Sequence, residues 1–445
     1  MRSNLKVKST PVLTHEGAVA TRINSELQLR RLTLSTMLFE DTFYVDGKSI
    51  AESILEATKN VSAEKIALLA VECREKQKLR HMPLFLVREL ARRKDAEAGL
   101  VSETLAAVIQ RADELSEFVA LYWKDQPGKK TLSAQVKKGL ASAFQKFSAY
   151  DLAKYNRDNA VKLRDVLFLC HAKPKNKEQE AVWKQLVDGT LPAPETWEVK
   201  LSAGEGKKSE EDKKAHWEGL LAENKLGALA LLRNLRNMQE AGVSMDAIRE
   251  GLLKMKVDRV LPFRFISAAR YAPKLEPELE QAMLKCLGEQ ENIGGKTVLL
   301  LDVSGSMSGA VSGKSEISRM DAACGVAMLL REVCQEAVVY TFSDKAVLIP
   351  SRRGFALRDA IVNSQPHSST CTRQAVDLIN QRERYDRLVV ITDEQAADGS
   401  GIPLSSGKGY FINVAPYQNG IGYGKWTHID GWSEACVDFI REIEK

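Results

Sequence analysis

Apolar residues recur at three- and four-residue spacing through residues 26–285, as in Ile66, Leu69 and Cys73, and again in Leu84, Val87 and Ala91. That period predicts helices with one buried stripe. Strand-like β-branched runs are absent from this stretch. Breaks fall at Pro83, Pro127–Gly128, Pro174, Pro192, Pro194, Gly242 and Pro273. The pattern predicts paired antiparallel helices stacked as a solenoid, with repeats too degenerate to see as a sequence period. Residues 203–215, AGEGKKSEEDKKA, are charged and contain glycine, and read as an exposed loop.

The pattern changes after Cys286. GEQENIGG reads as a linker, and Thr297–Val303 (TVLLLDV) is a continuous apolar run of the kind buried on both faces of a parallel sheet. A helix is predicted at about Ser318–Cys334, strands at Ala337–Phe342 and Ala346–Ile349, and a further helix from about Arg373. Strands follow at Arg387–Thr392 and Tyr410–Val414. Trp432, Cys436, Phe439, Ile440 and Ile443 form an apolar stripe on a terminal helix. Alternating strands and helices predict an α/β doubly wound sheet, with ligands bound at the carboxyl ends of its strands.

Composition narrows the classes. The chain has 445 residues, 44% apolar and 28% charged, which suits two or three globular domains. No run approaches the ~18 apolar residues of a membrane helix. The N-terminus MRSNLKVKSTPVLTHEG lacks a signal-peptide core, so a cytoplasmic protein with no membrane partner is expected. The seven cysteines are scattered and never form a C-x-x-C pair, which argues against a disulfide framework or a zinc cluster. The net charge of +5 is unevenly spread. Residues 1–285 hold 48 Lys and Arg against 39 Asp and Glu, and residues 286–445 hold 16 against 20. The basic surface, +9 in balance, thus belongs to the first part and would attract a polyanion.

Three segments carry candidate metal chemistry. Asp302, Ser304 and Ser306 follow the first predicted strand, Thr370 lies in the polar loop HSSTCT, and Asp393 ends the strand LVVITD. A lone D-x-S-x-S is weak, but three segments bringing oxygen ligands to one sheet edge suit Mg²⁺ or Mn²⁺. Neutral hydroxyls leave the ion's charge largely uncompensated, so it would seek an acidic ligand from a partner. The DVSGSM segment (302–307) resembles the metal-ion-dependent adhesion site of von Willebrand A domains. That resemblance implies Ser304, Ser306 and Thr370 as the closer ligands, with Asp302 and Asp393 acting mainly through water. A site in which the two serines only cap a turn is the bland alternative. Asp393–Glu394 also admits a hydrolase, with Glu394 as base. Against it, no histidine or second carboxylate lies nearby in sequence, and a hydroxyl-rich site suits a two-metal mechanism poorly.

The first part carries a second resemblance. LRRLTLSTMLFEDTFYVDGKSI (29–50), HMPLFLVRELAR (81–92), AKYNRDNAVKLRDVLFLCHAKP (153–174), LGALALLRNLRNM (226–238) and VLPFRFISAARY (260–271) resemble, in order, segments of the TROVE domain of Ro ribonucleoproteins. It implies a TROVE-like domain over 1–285 and a von Willebrand A-like domain over 296–445. The implied fold is an all-α ring or horseshoe of HEAT-like helices followed by the α/β domain. It also implies a non-enzymatic protein that binds small structured noncoding (Y-like) RNA and defective or misfolded RNA with single-stranded ends. Such a protein serves RNA quality control or a ribonucleoprotein scaffold. A monomer is expected, with an exoribonuclease as candidate protein partner. The alternative class is a protein-interaction module gripping an acidic partner through its metal.

Several residues fit RNA binding. Lys137, Lys138, Lys146, Lys154 and Arg157 alternate with Phe144, Phe147, Tyr150 and Tyr155, and cations beside aromatics suit single-stranded RNA. A solvated lysine face is the plainer reading of any one of them. His171, beside Lys173, stands at the family's RNA-binding histidine, with Cys170 in place of the usual preceding serine. Arg233 and Arg236 share a helix face, with Asn234 and Asn237 extending its polar surface, and suit either RNA or inter-helix salt bridges.

Overall fold

The computed structural model describes residues 12–14, 17, 19–20, 22–35, 47–124, 131–192, 209–257, 260, 262–288, 292–398, 401–415, 420–422, 424–432 and 435–444. The chain forms two compact units, residues 51–209 and residues 1–50 with 210–445.

The unit of residues 51–209 is helical. Its elements are α2 (Gly47–Lys59, which begins just before it), α3 (Ala63–Glu75), α4 (His81–Ala91), α5 (Leu100–Val108), α6 (Ala112–Trp123), α7 (Ala134–Phe144), α8 (Ala149–Tyr155), α9 (Leu163–Cys170) and α10 (Lys177–Asp188). Odd-numbered helices stack on one another, α3 on α5, α5 on α7 and α7 on α9, and the even ones do likewise from α4 to α10. This two-layer stacking is the solenoid that the helical periodicity predicts. Gly139 of α7 makes the closest step possible, since a Cβ there would sit 2.9 Å from both the Ser102 carbonyl and Leu105 Cβ. Glu114 is fully buried, yet it accepts from Arg74 at 2.7 Å and from the N–H groups of Gln110 and Arg111 at 2.8 and 3.0 Å. A buried charge is tolerable when paired in this way.

The second unit starts with α1 (Ser25–Ser35) and resumes with α11 (Glu210–Ala222), α12 (Ala228–Glu240), α13 (Met245–Lys254), α14 (Pro262–Tyr271) and α15 (Glu276–Gly288). Residues 210–215, expected as loop, are thus the first turns of α11. Residues 203–208 and 36–46 lie outside the described residues. Glu and Lys are good helix formers, and Trp217, Leu220 and Leu221 further along α11 are buried, so packing of its second half carries the polar first half.

A six-stranded sheet follows, in the order β3-β2-β1-β4-β5-β6. The strands are β1 (Ile293–Asp302), β2 (Cys334–Phe342), β3 (Ala346–Leu348), β4 (Arg387–Thr392), β5 (Lys408–Asn413) and β6 (Thr427–Asp430). All neighbours are parallel except β2 and β3. Ile293–Gly295, expected as linker, already belong to β1. The helices are α16 (Arg319–Val333), α17 (Gly354–Val362), α18 (Thr372–Arg382) and α19 (Ala435–Glu444). Neither α17 nor β6 is among the sequence-predicted elements. Val298, Leu300, Phe342, Leu388, Val390 and Phe411 pack with Ala375, Val376 and Ile379 of α18. The alternate residues face the other way, where α16 packs on the sheet and Tyr410 donates to Glu444 of α19 at 2.8 Å. Trp432 precedes α19, and Ile443 is exposed. The terminal stripe is therefore shorter than predicted, with Cys436 and Ile440 as buried members.

The two-layer stacking of α11–α15 runs on into the α/β part. α14 packs on α16, and α15 packs on α16 and α17. Arg270 of α14 pairs with Asp321 in the first turn of α16, and Glu280 of α15 accepts the Phe355 N–H of α17 at 2.7 Å. Gly354 adopts φ +54, and a Cβ there would displace the Glu280 carboxylate, so this join favours glycine. No helix among the described residues is long and apolar enough to cross a membrane.

Candidate functional site

The sheet order reverses at β1, which lies between β2 and β4. At such a switch point the loops diverge and leave a crevice. Asp302 ends β1 there, fully buried. Its carboxylate accepts the Ser304 N–H at 2.9 Å and the Thr392 hydroxyl at 2.6 Å, so the start of one loop is tied to the end of β4. The chain then makes a 3-10 turn over Gly305–Ser308, and the Ser304 and Ser306 hydroxyls lie 3.2 Å apart. The loop of Thr370 reaches the same edge. His367 Nδ1 meets the Val303 carbonyl, the Ser368 N–H donates to Ser343 Oγ at 2.9 Å, and the Ala397 N–H donates to the Thr370 carbonyl at 2.9 Å. A Cβ on Gly305 would stand 3.3 Å from the His367 carbonyl oxygen, so glycine lets these loops close up. The three segments singled out in the sequence thus converge.

Electrostatics at this edge favour a cation. Burial first, and the neighbouring Asp393 second, push the Asp302 carboxyl up to about 7. Arg319, also fully buried, donates to Asp393 Oδ2 and to the Ser306 carbonyl, both at 3.2 Å. Beyond Asp393 the buried charges continue. Glu394 pairs with Arg31 of α1 and, at 2.9 Å, with His428 Nδ1, while His428 Nε2 stands 3.0 Å from Asp430. Burial alone would lower the His428 pKa, but Glu394 and Asp430 outweigh it and raise it to about 9. Burial works against the ionised Asp430 too, yet His428 and Arg31 hold it below the usual carboxylate range. Among the described residues the buried carboxylates Asp302, Asp393, Glu394 and Asp430 thus lie among Arg31, Arg319 and His428. Asp302 is the carboxyl whose charged form burial and Asp393 disfavour, and a divalent ion beside it would favour that form. Among the described residues no group of three His, Cys, Asp or Glu side chains is placed to hold a metal, so an ion at this edge relies on hydroxyls and water.

Glu394 has φ +62, in the left-handed region. No histidine lies near Glu394 in sequence, but in space the unpredicted β6 brings His428 against it, with Asp430 on the far side of the imidazole. Two signals could have revealed these partners. The alternation T-H-I-D puts both ionisable groups on one strand face. Arg319 opens α16, where the helix dipole disfavours a cation, so a compensating partner elsewhere was implied.

The candidate RNA residues are spread over both units, and each unit presents its own set. On the residues 51–209 unit, Lys138, Arg157, His171 and Lys173 are exposed and Lys137 is half-buried. Lys154 lies over the Tyr150 and Tyr155 rings at 5.8 and 5.6 Å. Lys146 differs from the others. Its ammonium donates to the Ala106 carbonyl and, at 3.1 Å, to that of Ile109, capping the end of α5, and burial lowers its pKa. His171 is the left-handed cap of α9, with φ +53, and the Cys170 thiol points inward to the Leu167 carbonyl at 3.6 Å. On the other unit Arg233 and Arg236 are exposed on α12, and Arg236 pairs with Glu240 of the same helix at 2.8 Å. Asn234 is buried and bonded to the Ala230 carbonyl at 2.8 Å, so it does not extend their polar surface. Burial first, then Arg233, lowers the pKa of Arg264 on α14, a neighbouring cation that the sequence reading did not single out.

A helical stack followed by a von Willebrand A-like domain, with oxygen donors gathered at the switch point of a mostly parallel sheet, defines the class. Residues 188–292 match the TROVE domain, and residues 296–410 match the Ro60 vWA domain. These two matches, one in each part of the chain, bear out the resemblance to the TROVE-domain Ro family. It is similar to the RNA-binding protein RO60 of Deinococcus radiodurans, 24% identical over 322 residues that span 60% of this chain and 61% of that relative. The match thus takes in about three fifths of the relative's length. The fold is also that of the crystal structure of the Deinococcus radiodurans Ro (Rsr) protein, with a TM-score of 0.62 and 19% identity. That likeness covers 92% of this chain and 98% of the other.

Proposed function

We propose that the protein binds small structured noncoding RNA and defective RNA with single-stranded ends, in RNA quality control or as a ribonucleoprotein scaffold. The observation that carries this is the surface at the end of α9. His171 is held outward by a left-handed cap, and Lys173 follows it in an exposed loop. The name of the Deinococcus relative points the same way. Sequencing the RNA that co-purifies with the protein tests the reading directly. For one residue, His171→Ser should weaken RNA binding by a few kcal/mol at most, since a hydrogen bond to a charged group contributes ~1.5–3 kcal/mol. The melting temperature should hardly move, because exposed substitutions usually cost within ~0.5 kcal/mol. A large drop in melting temperature with normal affinity in the folded fraction would limit His171 to its place in the helix end and retire the RNA contact.

The oxygen-rich edge is proposed to hold one Mg²⁺ or Mn²⁺ through Asp302, Ser304, Ser306, Thr370 and Asp393. When bound, the ion would offer a coordination position to an acidic group of a partner. The burial of Asp302 beside Asp393, which disfavours its charged form without a cation, supports this. It also keeps alive the second reading, an interaction module for an acidic protein, with an exoribonuclease as candidate. A hydrolase is less well supported, because Glu394 is fully buried and paired with Arg31 and His428. Asp302→Ala should abolish calorimetric metal binding while the domain stays folded, and unchanged affinity would contradict the assignment. Chelation should leave most RNA affinity intact. RNA release by EDTA from a folded protein would point to a metal-bridged phosphate.

A further inference from the structure

α9 is two-sided. Leu163, Val166, Leu167 and Cys170 are buried, while Arg164, Phe168 and the cap His171 form an exposed row at i, i+4 and i+7. Phe168 is anomalous. It is 59% exposed, whereas Phe85, Phe118, Phe144, Phe147, Phe265, Phe342, Phe355 and Phe411 are all buried. An aromatic ring left in water between an arginine and an imidazole does nothing for the core.

The chain beyond the ring is pinned rather than loose. The Phe168 carbonyl accepts the His171 N–H at 3.3 Å, which closes the left-handed turn. Gln145 Nε2 donates to the Lys173 carbonyl at 2.7 Å, and Gln179 Nε2 donates back to the Gln145 carbonyl at 3.1 Å. The Lys175 N–H donates to Gln179 Oε1 at 2.9 Å, and Asn176 caps α10 by accepting the Gln179 N–H at 2.8 Å. This framework holds Lys173, Lys175 and Lys177 exposed, and among the described residues none of the three has an ion-pair partner. Three exposed cations on a backbone tied by hydrogen bonds thus follow the exposed ring within nine residues.

We propose that Phe168 is a nucleobase platform, on which one unpaired base of bound RNA stacks while Lys173, Lys175 and Lys177 meet the adjoining phosphates. This rests on the RNA-binding reading above and adds to it the single-stranded element that this face takes. The chemistry selects the ligand. A protein partner seeking an apolar contact would meet one ring in a frame of Arg164, His171 and three lysines. A single strand offers both the π-face and the closely spaced negative charge that such a frame matches.

The test uses the full chain and two probes, a short single-stranded RNA and an RNA duplex, with filter binding across a salt series. Phe168→Ala should weaken single-strand binding roughly five- to a hundredfold, the contribution of one stacked base, with an unchanged salt slope because no phosphate contact is lost. Duplex binding should stay as in the parent protein. Phe168→Trp should restore affinity, and its added indole fluorescence should be quenched by the single strand alone. The melting temperature of both variants should match the parent, since the ring is exposed. If Phe168→Ala binds single strands normally while a Lys173, Lys175 and Lys177 triple alanine variant loses affinity and salt slope, RNA is bound here without the platform and the proposal is overturned. If the parent protein binds neither probe, the underlying RNA reading fails, and the platform with it.

Discussion

Arg31→Met should lower the melting temperature of the protein by roughly 10 °C. Arg31 and Glu394 are both fully buried and paired across the join between α1 and the loop after β4. Removing one partner of such a pair costs about 3–5 kcal/mol, and here the buried Glu394 would keep only His428 beside it. Each kcal/mol moves the melting point of a body this large by about 2–4 °C. The double variant Arg31→Met, Glu394→Gln should recover part of the loss, since neither charge then remains. The same cluster makes a pH signature. His428 is raised from its ordinary value to about 9, so its contribution to stability is full below ~6.5 and fades as pH rises through about 9. Thermal melts across that window should show the decline in the parent and a smaller one in His428→Gln. A melting point for Arg31→Met within about 1 °C of the parent would mean that α1 is not held by this pair. The position of Glu394 next to Asp393 adds a consequence: Arg31→Met should also weaken metal binding, through the loop it anchors.

RNA affinity should fall on the order of a thousandfold between ~50 and ~200 mM salt, if about six phosphates are neutralised. The motive is the balance of 48 basic against 39 acidic residues over 1–285. Lys138, Arg157, Arg164, Lys173, Lys175 and Lys177 are open to solvent. Each that met a phosphate would release condensed counterions, and that release is what salt opposes. Lys146 should contribute little, because its ammonium already caps α5. Lys146→Ala should therefore leave the slope nearly intact and instead destabilise the end of that helix. A flat salt profile for the parent protein would remove the electrostatic basis of the RNA reading.

Local pattern predicted the elements that bury one clear stripe or run. TVLLLDV appears as β1 and LVVIT within β4, because strands buried on both faces must be apolar throughout. The candidate oxygen ligands were legible for a related reason. They sit at strand ends, and parallel strands bring their carboxyl ends to one edge whatever the loops do. β6 and the first turns of α11 were not legible. β6 has four residues and survives by pairing with β5, while α11 begins in a charged run that no local hydrophobic signal marks.

The sequence by itself determined the class of each part, the basic balance of the first, and the five metal candidates of the second. These follow from residue type and period, which act within a few residues of the chain. Only the tertiary structure decided which charges are spent on one another. Arg31 and Glu394 are 363 positions apart, and Arg319 and Asp393 are 74 apart, yet each pair is buried in contact. It also decided that Lys146 is occupied, that Asn234 is inward and that Phe168 is outward. Coulomb pairing and burial depend on distance in space, and no spacing along the chain encodes a meeting made by the packing of whole helices and strands.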